Sequence, residues 1–266
     1  MNILIIGAGN MGTTYAKSLL ASHFATPDQM QLLIRSDAGR TRLPEIPDYN
    51  IFRSAGDFIR QADIIIVSVK PQDYSTVAPT IRPFLNSEQI VLSVMAGVSI
   101  QTLHTSLGIP KLVRAMPNLP SQIGMGMTVF SCSPELDRKE LFIIQNLLNT
   151  TGKAMYVEDE GLLDSATAVS GSGPAYVYYF MNAMIKAGIE LGFTPAQAEL
   201  LVNQTFMGSV HLQNRNTISC EDWIKKVASK GGTTEAALKV FLENRVEEDV
   251  KEAINSAFKR SQELGK

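Results

Sequence analysis

Two glycine clusters mark places where the backbone, rather than a side chain, would do the chemistry. The first, "IIGAGNMGTTYAKSL", sets Gly7, Gly9 and Gly12 in a G-x-G-x-x-G register between an apolar run and a segment of helical period. Glycines at these spacings permit a tight turn and let the backbone approach a pyrophosphate. A helix beginning at Asn10 or Met11 adds unpaired N–H groups and a positive dipole end. This pattern is a dinucleotide-binding fingerprint. The second cluster, "ASKGGTTEAAL", places Gly231 and Gly232 ahead of Thr233 and Thr234 at the mouth of another helix. There the glycines permit positive φ, and either threonine can cap the helix. The same N–H groups and hydroxyls would also hold a carboxylate without any lysine or arginine. The local residues leave both readings open.

Which dinucleotide fits depends on the end of the second strand, "LLIRSDAGR". Arg35 and Ser36 suit the 2′-phosphate of NADP by charge and hydroxyl donation, while Asp37, one step further, keeps NAD open. Three more loops follow strands at the edge where such sheets bind ligands. "SVKPQ" carries Val69, Lys70 and Pro71, with Lys70 either touching a phosphate or ribose or simply solvated. "MAGVS" carries Ala96 and Gly97, small enough to admit a flat ring or merely to turn. "RAMPNLP" offers the Asn118 amide, or serves as a proline-stiffened loop.

The elements that must position these residues follow from hydrophobic period. Short Ile/Val/Leu runs, "NILIIG", "MQLLIR", "YNIF", "DIIIVSV", "QIVLSVM", "KLVRAM" and "GMTVF", with "KAMYV" as a possible edge, alternate with helical segments. The alternation predicts parallel strands in an α/β, Rossmann-type doubly wound sheet, and the unbroken apolar runs predict strands covered on both faces. After Glu160 the strand runs stop and capped helices take over. This gives a dinucleotide-binding domain over 1–160 and an all-α dimerisation and substrate domain over 161–266. Pro174 sits in the first turn of one helix, Thr194 to Gln197 reads as a capping box, and further helices start near Glu221 and Glu235. The helix from Pro174 to Leu191 is apolar nearly all round, so it is expected to be buried, in part by a second copy of the chain. The charged mixture after Glu247 reads as a solvated helix face.

Composition narrows the function further. A chain of 266 residues with formal charge −2 and pI near 6.0 is not built to grip nucleic acid or an anionic membrane. Cys132 and Cys220 are far apart, which points to reduced thiols rather than a disulfide or metal knuckle. His23, His104 and His211 fall in no motif. Met1-Asn2 leads straight into "ILIIGAG", leaving no room for an export leader, and Asn182, Lys186 and Glu190 interrupt the one apolar helix long enough to raise the membrane question. A cytoplasmic location is expected.

Taken together, "GAGNMG", "VKP", "AGVSI", "RAMPN", "SGSGPAYVY" and "GGTTEAAL" resemble pyrroline-5-carboxylate reductase, the NAD(P)H-dependent enzyme that makes proline, over nearly the whole chain. The resemblance implies a helical second domain that dimerises, with dimers assembled into a ring, and a cyclic imine substrate lying between the nicotinamide and the second glycine cluster. It assigns the substrate carboxylate to Ser229, Gly231, Gly232, Thr233 and Thr234, the ring nitrogen to the Thr234 hydroxyl, and the hydride to NADPH, with NADH possible. Lys230 replaces a usual proline, Leu119 a common threonine, and Ala55 lies near an asparagine of some relatives. A β-hydroxyacid dehydrogenase or other imine reductase is the alternative enzyme, disfavoured by the lack of lysine in the first turns after "SGSGPAYVYYF". A regulatory protein that only binds the dinucleotide is the non-enzymatic one.

Overall fold

The structure, a computed structural model, describes residues 1–36 and 40–264. The eight apolar runs form the strands β1 (Ile3–Ile6), β2 (Met30–Leu33), β3 (Ile51–Phe52), β4 (Ile64–Val67), β5 (Ile90–Ser93), β6 (Leu112–Met116), β7 (Gly126–Cys132) and β8 (Gly152–Tyr156). They make one sheet in the order β3-β2-β1-β4-β5-β6-β7-β8, with "KAMYV" at an edge as expected. The register is direct along the centre: Ile3 to Ile6 faces Met30 to Leu33 on one side and Ile64 to Val67 on the other.

One expectation is corrected. The pattern predicts parallel strands, but β7 runs antiparallel to β6, pairing Val113 with Cys132 and Met116 with Val129. A parallel return needs a crossover of about a dozen residues or more, and the link over 117–125 holds only a short 3-10 turn, Leu119–Ile123. β8 then returns parallel to β7 after a full helix.

The helices around the sheet are α1 (Asn10–Ala21), α2 (Pro71–Ile81), α3 (Ile100–Leu107) and α4 (Arg138–Asn149). Ile3, Ile5, Ile64 and Ile66 point to one face, where Tyr15, Ala16 and Leu19 of α1 meet Ile144, Leu147 and Leu148 of α4. Leu4, Ile6, Ile65 and Val67 point to the other, under Tyr74, Ala78 and Ile81 of α2 and Leu103 and Leu107 of α3. Cover on both faces is why these strands read as continuous apolar runs.

Beyond β8 the chain forms α5 (Leu162–Ala166), a π-helical turn over Thr167–Gly171, then α6 (Gly173–Glu190), α7 (Pro195–Asn214), α8 (Cys220–Val227), α9 (Thr233–Glu243) and α10 (Val246–Leu264). The Thr194 capping box is present as read. α9 starts two residues before the expected Glu235. Two compact units result, Met1–Ser172 with Ala257–Lys266, and Gly173–Ser256. In the second unit α6 and α7 lie so close that a Cβ on Gly188 would come 3.2 Å from the Ala198 Cβ. No residue of α6 is buried in the single chain, contrary to the burial expected of an apolar helix. One neighbouring helix cannot cover a helix that is apolar on nearly every side. Among the described residues no helix is long and apolar enough to cross a membrane.

Three positions test this packing. A Cβ on Gly12 would fall 2.0 Å from the Gly7 carbonyl oxygen and 2.5 Å from Ser68 Oγ. Gly12→Ala should therefore cost about 3 kcal/mol or more of unfolding free energy in urea titrations. Gly9→Ala, with nothing within 4 Å, should stay within about 0.5 kcal/mol of the parent. Burial pushes the phenol of Tyr15 up to about 12, with the hydroxyls of Thr128 and Thr151 opposing. An unfolded tyrosine titrates near 10, so the folded state holds this proton more tightly. Its contribution is complete below pH ~10 and is lost as the pH climbs toward the folded value, by roughly 2 to 3 kcal/mol in all. Tyr15→Phe should flatten that part of the alkaline loss when urea midpoints are compared at pH 8 and pH 11.

Candidate active site

The first cluster is built by the join between β1 and α1. Gly7 has φ +93, and a Cβ there would meet Val69 Cγ1 at 3.0 Å. Its N–H donates to the Leu33 carbonyl at 2.9 Å, tying the turn to the end of β2. Ser68 Oγ donates to the Gly7 carbonyl at 2.6 Å, and Thr13 Oγ1 donates to that of Ala8 at 3.2 Å. Both hydroxyls lie inside stretches the sequence singles out, "SVKPQ" and "GNMGTTYAKSL", but the glycine spacing gives neither a role.

Gly9 is the N-cap of α1, extended at φ −73 and ψ −164, with no side chain capping the helix and no acidic residue in its first turn. The first intrahelical bond runs from Thr13 N–H to the Gly9 carbonyl. The N–H groups of Asn10, Met11 and Gly12 therefore have no partner within the helix. Space for a Cβ is open at Gly9. The cradle fits a pyrophosphate: donors without acceptors, a positive dipole end, and room for close approach.

The other predicted residues of the first unit lie at carboxyl ends of neighbouring parallel strands. Arg35 and Ser36 follow β2 and are exposed. Asp37 lies outside the described residues. Lys70, exposed, is the N-cap of α2 with Pro71 at its first position, directly after Val69 and β4. Gly97, buried with φ +75, follows Ala96 in the loop after β5. That loop runs into Ser99, whose Oγ accepts from Thr102 N–H at 3.1 Å to cap α3. Asn118 follows β6, and its amide is already engaged. Nδ2 donates to the Ser170 carbonyl at 3.1 Å, and Oδ1 accepts from Met127 N–H at 2.9 Å. It fastens the β6–β7 link to the π-helical turn, which leaves one amide N–H for a ligand.

The strand ends are braced from below. Arg114 of β6, side chain 9% exposed, reaches Glu160 Oε1 at 3.0 Å and Asp164 Oδ1 at 3.2 Å. Glu160 also accepts from Ile100 N–H at 2.9 Å, at the start of α3, and Ser261 Oγ donates to Asp164 at 3.0 Å. A buried guanidinium needs such partners. The charges are visible in the sequence, but their meeting across 46 and 50 positions of chain is not.

In the second unit the turn between α8 and α9 contains the other cluster. Gly231 has φ +75, which favours glycine, and Gly232 N–H donates to the Ser229 carbonyl at 3.0 Å. A Cβ on Gly232 would strike Ser229 Oγ at 2.6 Å, so both glycines are required, for different reasons. The expected threonine cap is corrected. Gly232 is the N-cap, φ −87 and ψ 172, and no side chain caps α9. Thr233 and Thr234 are its first helical residues, past the position from which a hydroxyl caps. The Glu235 carboxylate instead accepts from Gly231 N–H at 2.6 Å.

Four other helices start differently. Ser99, Asp137, Thr194 and Ser219 each accept a hydrogen bond at the start of their own helix. At α9 the hydroxyls of Ser229, Thr233 and Thr234 have no hydrogen-bond partner among the described residues, and Thr233 and Thr234 N–H point out of the first turn. Together these donors can hold a small carboxylate with no cation.

Comparison with known proteins adds a second line of argument. Residues 160–264 match the family described as pyrroline-5-carboxylate reductase dimerisation, and residues 2–97 match NADP oxidoreductase coenzyme F420-dependent. The chain is 34% identical to the pyrroline-5-carboxylate reductase of Pseudomonas aeruginosa, covering 98% of this chain and 96% of that protein. Among solved structures, the pyrroline-5-carboxylate reductase of Coxiella burnetii superposes with a TM-score of 0.89 at 30% identity, covering 100% and 98% of the two chains. The Plasmodium falciparum pyrroline carboxylate reductase with NADP bound gives a TM-score of 0.89 at 26% identity with the same coverage. With this likeness running from end to end, and with an open anion cradle at each of its two glycine clusters, the chain belongs to the pyrroline-5-carboxylate reductase family.

Proposed function

We propose that this protein reduces 1-pyrroline-5-carboxylate to L-proline, the last step of proline biosynthesis, with NADPH as the preferred reductant and NADH as a possible second. Bound NADPH supplies the hydride. The observation that carries the reading is the uncapped start of α9, where Ser229, Thr233 and Thr234 leave donors unpaired around Gly231 and Gly232 in a family whose members reduce a cyclic imino acid.

Each residue then has a defined task. Asn10, Met11 and Gly12 N–H groups hold the pyrophosphate, with Gly7 and Gly9 giving the backbone its close approach. Arg35 and Ser36 hold the 2′-phosphate. Val69, Lys70 and Pro71, with Ala96, Gly97 and the free N–H of Asn118, border the nicotinamide half. At the second cluster the Thr233 and Thr234 N–H groups and the Ser229 hydroxyl hold the carboxylate, against the turn that Gly231 and Gly232 make possible. The Thr234 hydroxyl hydrogen-bonds the ring nitrogen. The C=N bond becomes C–N, the carbon gains the hydride, and the nitrogen ends as an amine whose remaining proton comes from the iminium or from water. A protonated imine is already a good hydride acceptor. Orientation therefore supplies much of the acceleration, and no strong side-chain acid is required.

The reading includes assembly. α6 exposes Tyr179 at 72%, and Tyr178, Met184 and Ile189 are also open in the single chain. A second copy covering this helix gives a homodimer, and dimers joined in a ring complete the proposed assembly, in the cytoplasm. The free thiols of Cys132 and Cys220 suit that reducing compartment.

Loss of nicotinamide absorbance on mixing the protein with NADPH and pyrroline-5-carboxylate tests the activity, and binding of cofactor without turnover would leave the regulatory alternative. Thr234→Ala should lower kcat/KM by a factor on the order of 10 to 1000 while leaving the fold intact; unchanged kinetics in the folded variant removes Thr234 from the mechanism. Gly9→Ala should raise the KM for NADPH at least about tenfold, because its methyl group fills the space left for the pyrophosphate.

A further inference from the structure

The cavity that begins at the amino end of α1 has a charge pattern the glycine fingerprint does not require. Asn10, Thr13 and Lys17 line it from α1, Arg42 enters from the link after β2, and Ser121 and Gln122 stand across a space of about 710 Å³. That is the size of a small-molecule site. Among the described residues its lining carries two cations, Lys17 and Arg42, and no carboxylate.

Arg42 is the member that points to a ligand. Its Nη1 donates to the Ala8 carbonyl at 3.5 Å, the carbonyl between the first two fingerprint glycines. Arg40, two residues earlier, is neutralised within the fold: Nε lies 2.7 Å from Asp48 Oδ1, and Nη1 donates to the Leu43 carbonyl. Among the described residues Arg42 meets no carboxylate. It stands instead beside an uncapped helix start with no acid in its first turn, which adds the positive end of the helix dipole to its own charge.

We propose that Arg42 is a phosphate contact of the bound dinucleotide, additional to Arg35 and Ser36; the proposal rests on the dinucleotide reading above. A guanidinium has five N–H donors in a rigid fork. One spent on Ala8 leaves the others for phosphate oxygens, and the anchor keeps the side chain in place before the ligand arrives. Two phosphate groups of a dinucleotide are in question, the pyrophosphate and the ribose 2′-phosphate. The anchor on Ala8 sets Arg42 at the turn that carries the pyrophosphate, so both NAD⁺ and NADP⁺ should feel its loss.

The test is calorimetric titration of the full chain with NADP⁺ and with NAD⁺, comparing the parent with Arg42→Ala and Arg42→Lys, alongside thermal melts. Arg42→Ala should weaken both ligands by about 10- to 100-fold, the range of a charge-assisted hydrogen bond, with Arg42→Lys recovering part of the loss. A loss confined to NADP⁺ keeps Arg42 as a phosphate contact and assigns it to the 2′-phosphate. Unchanged affinity for both ligands in a folded variant overturns the proposal. Failure of the parent protein to bind either dinucleotide overturns the dinucleotide reading itself. Arg42→Gln, which keeps a donor for Ala8 but removes the charge, decides the matter if Arg42→Ala alters the melt.

Discussion

Helix α1 can begin where it does only because Gly12 has no side chain. A single added carbon would sit 2.0 Å from the Gly7 carbonyl oxygen, a distance real atoms do not share. This contact lets α1 press against the end of β1 while Gly7, at φ +93, turns the chain away from the strand. Ser68 Oγ closes the arrangement by donating to the same Gly7 carbonyl, so the end of β4 fixes the turn as well. Position of the open N–H groups, and with it everything asked of the first unit, follows from that packing.

Both glycine clusters use one physical device. Each helix start has a glycine N-cap in extended conformation, preceded by a glycine at positive φ, Gly7 before Gly9 and Gly231 before Gly232. A serine, threonine or aspartate at the cap would satisfy one donor from within the chain, as at Ser99, Asp137, Thr194 and Ser219. Glycine leaves that donor for a ligand at a small cost in helix stability, a few tenths of a kcal/mol relative to a good cap. Oriented dipoles of this kind suit small carboxylates and pyrophosphates alike.

These features differ in how far the sequence exposes them. Runs such as Ile64 to Val67 are buried on both faces, so their composition alone marks them as central strands. The fingerprint is equally plain, because its glycines answer steric demands within a dozen residues. The direction of β7 escapes, since an apolar run carries no arrow and only the short link after β6 decides it. The threonine cap at α9 misleads for a local reason: Gly232 and Thr233 are both acceptable caps by type, and a shift of one residue separates a hydroxyl that closes the helix from one that is free. Arg42, Ser68 and Glu160 are hidden for another reason. Their roles come from partners 34, 61 and 46 positions away, brought together only by strand order.

The helix from Gly173 to Glu190 shows where reading a single chain stops. Its aromatic and aliphatic residues leave only a narrow polar stripe, Asn182, Lys186 and Glu190, to face water, yet none is buried within the chain. Tyr176, Tyr179 and Phe180 border an apolar cavity of about 590 Å³ with Val250 and Ile254 of α10, which covers one flank without filling it. At about 25 cal/mol per Å² of apolar surface, several uncovered large side chains represent a standing cost of a few kcal/mol or more. A partner surface removes that cost only if it is itself apolar and of matching shape. In the homodimer proposed above, the same helix from a second copy would supply an equally apolar surface, since a two-fold contact sets a patch against its own copy. The composition of α6 then follows from an interface rather than from a core.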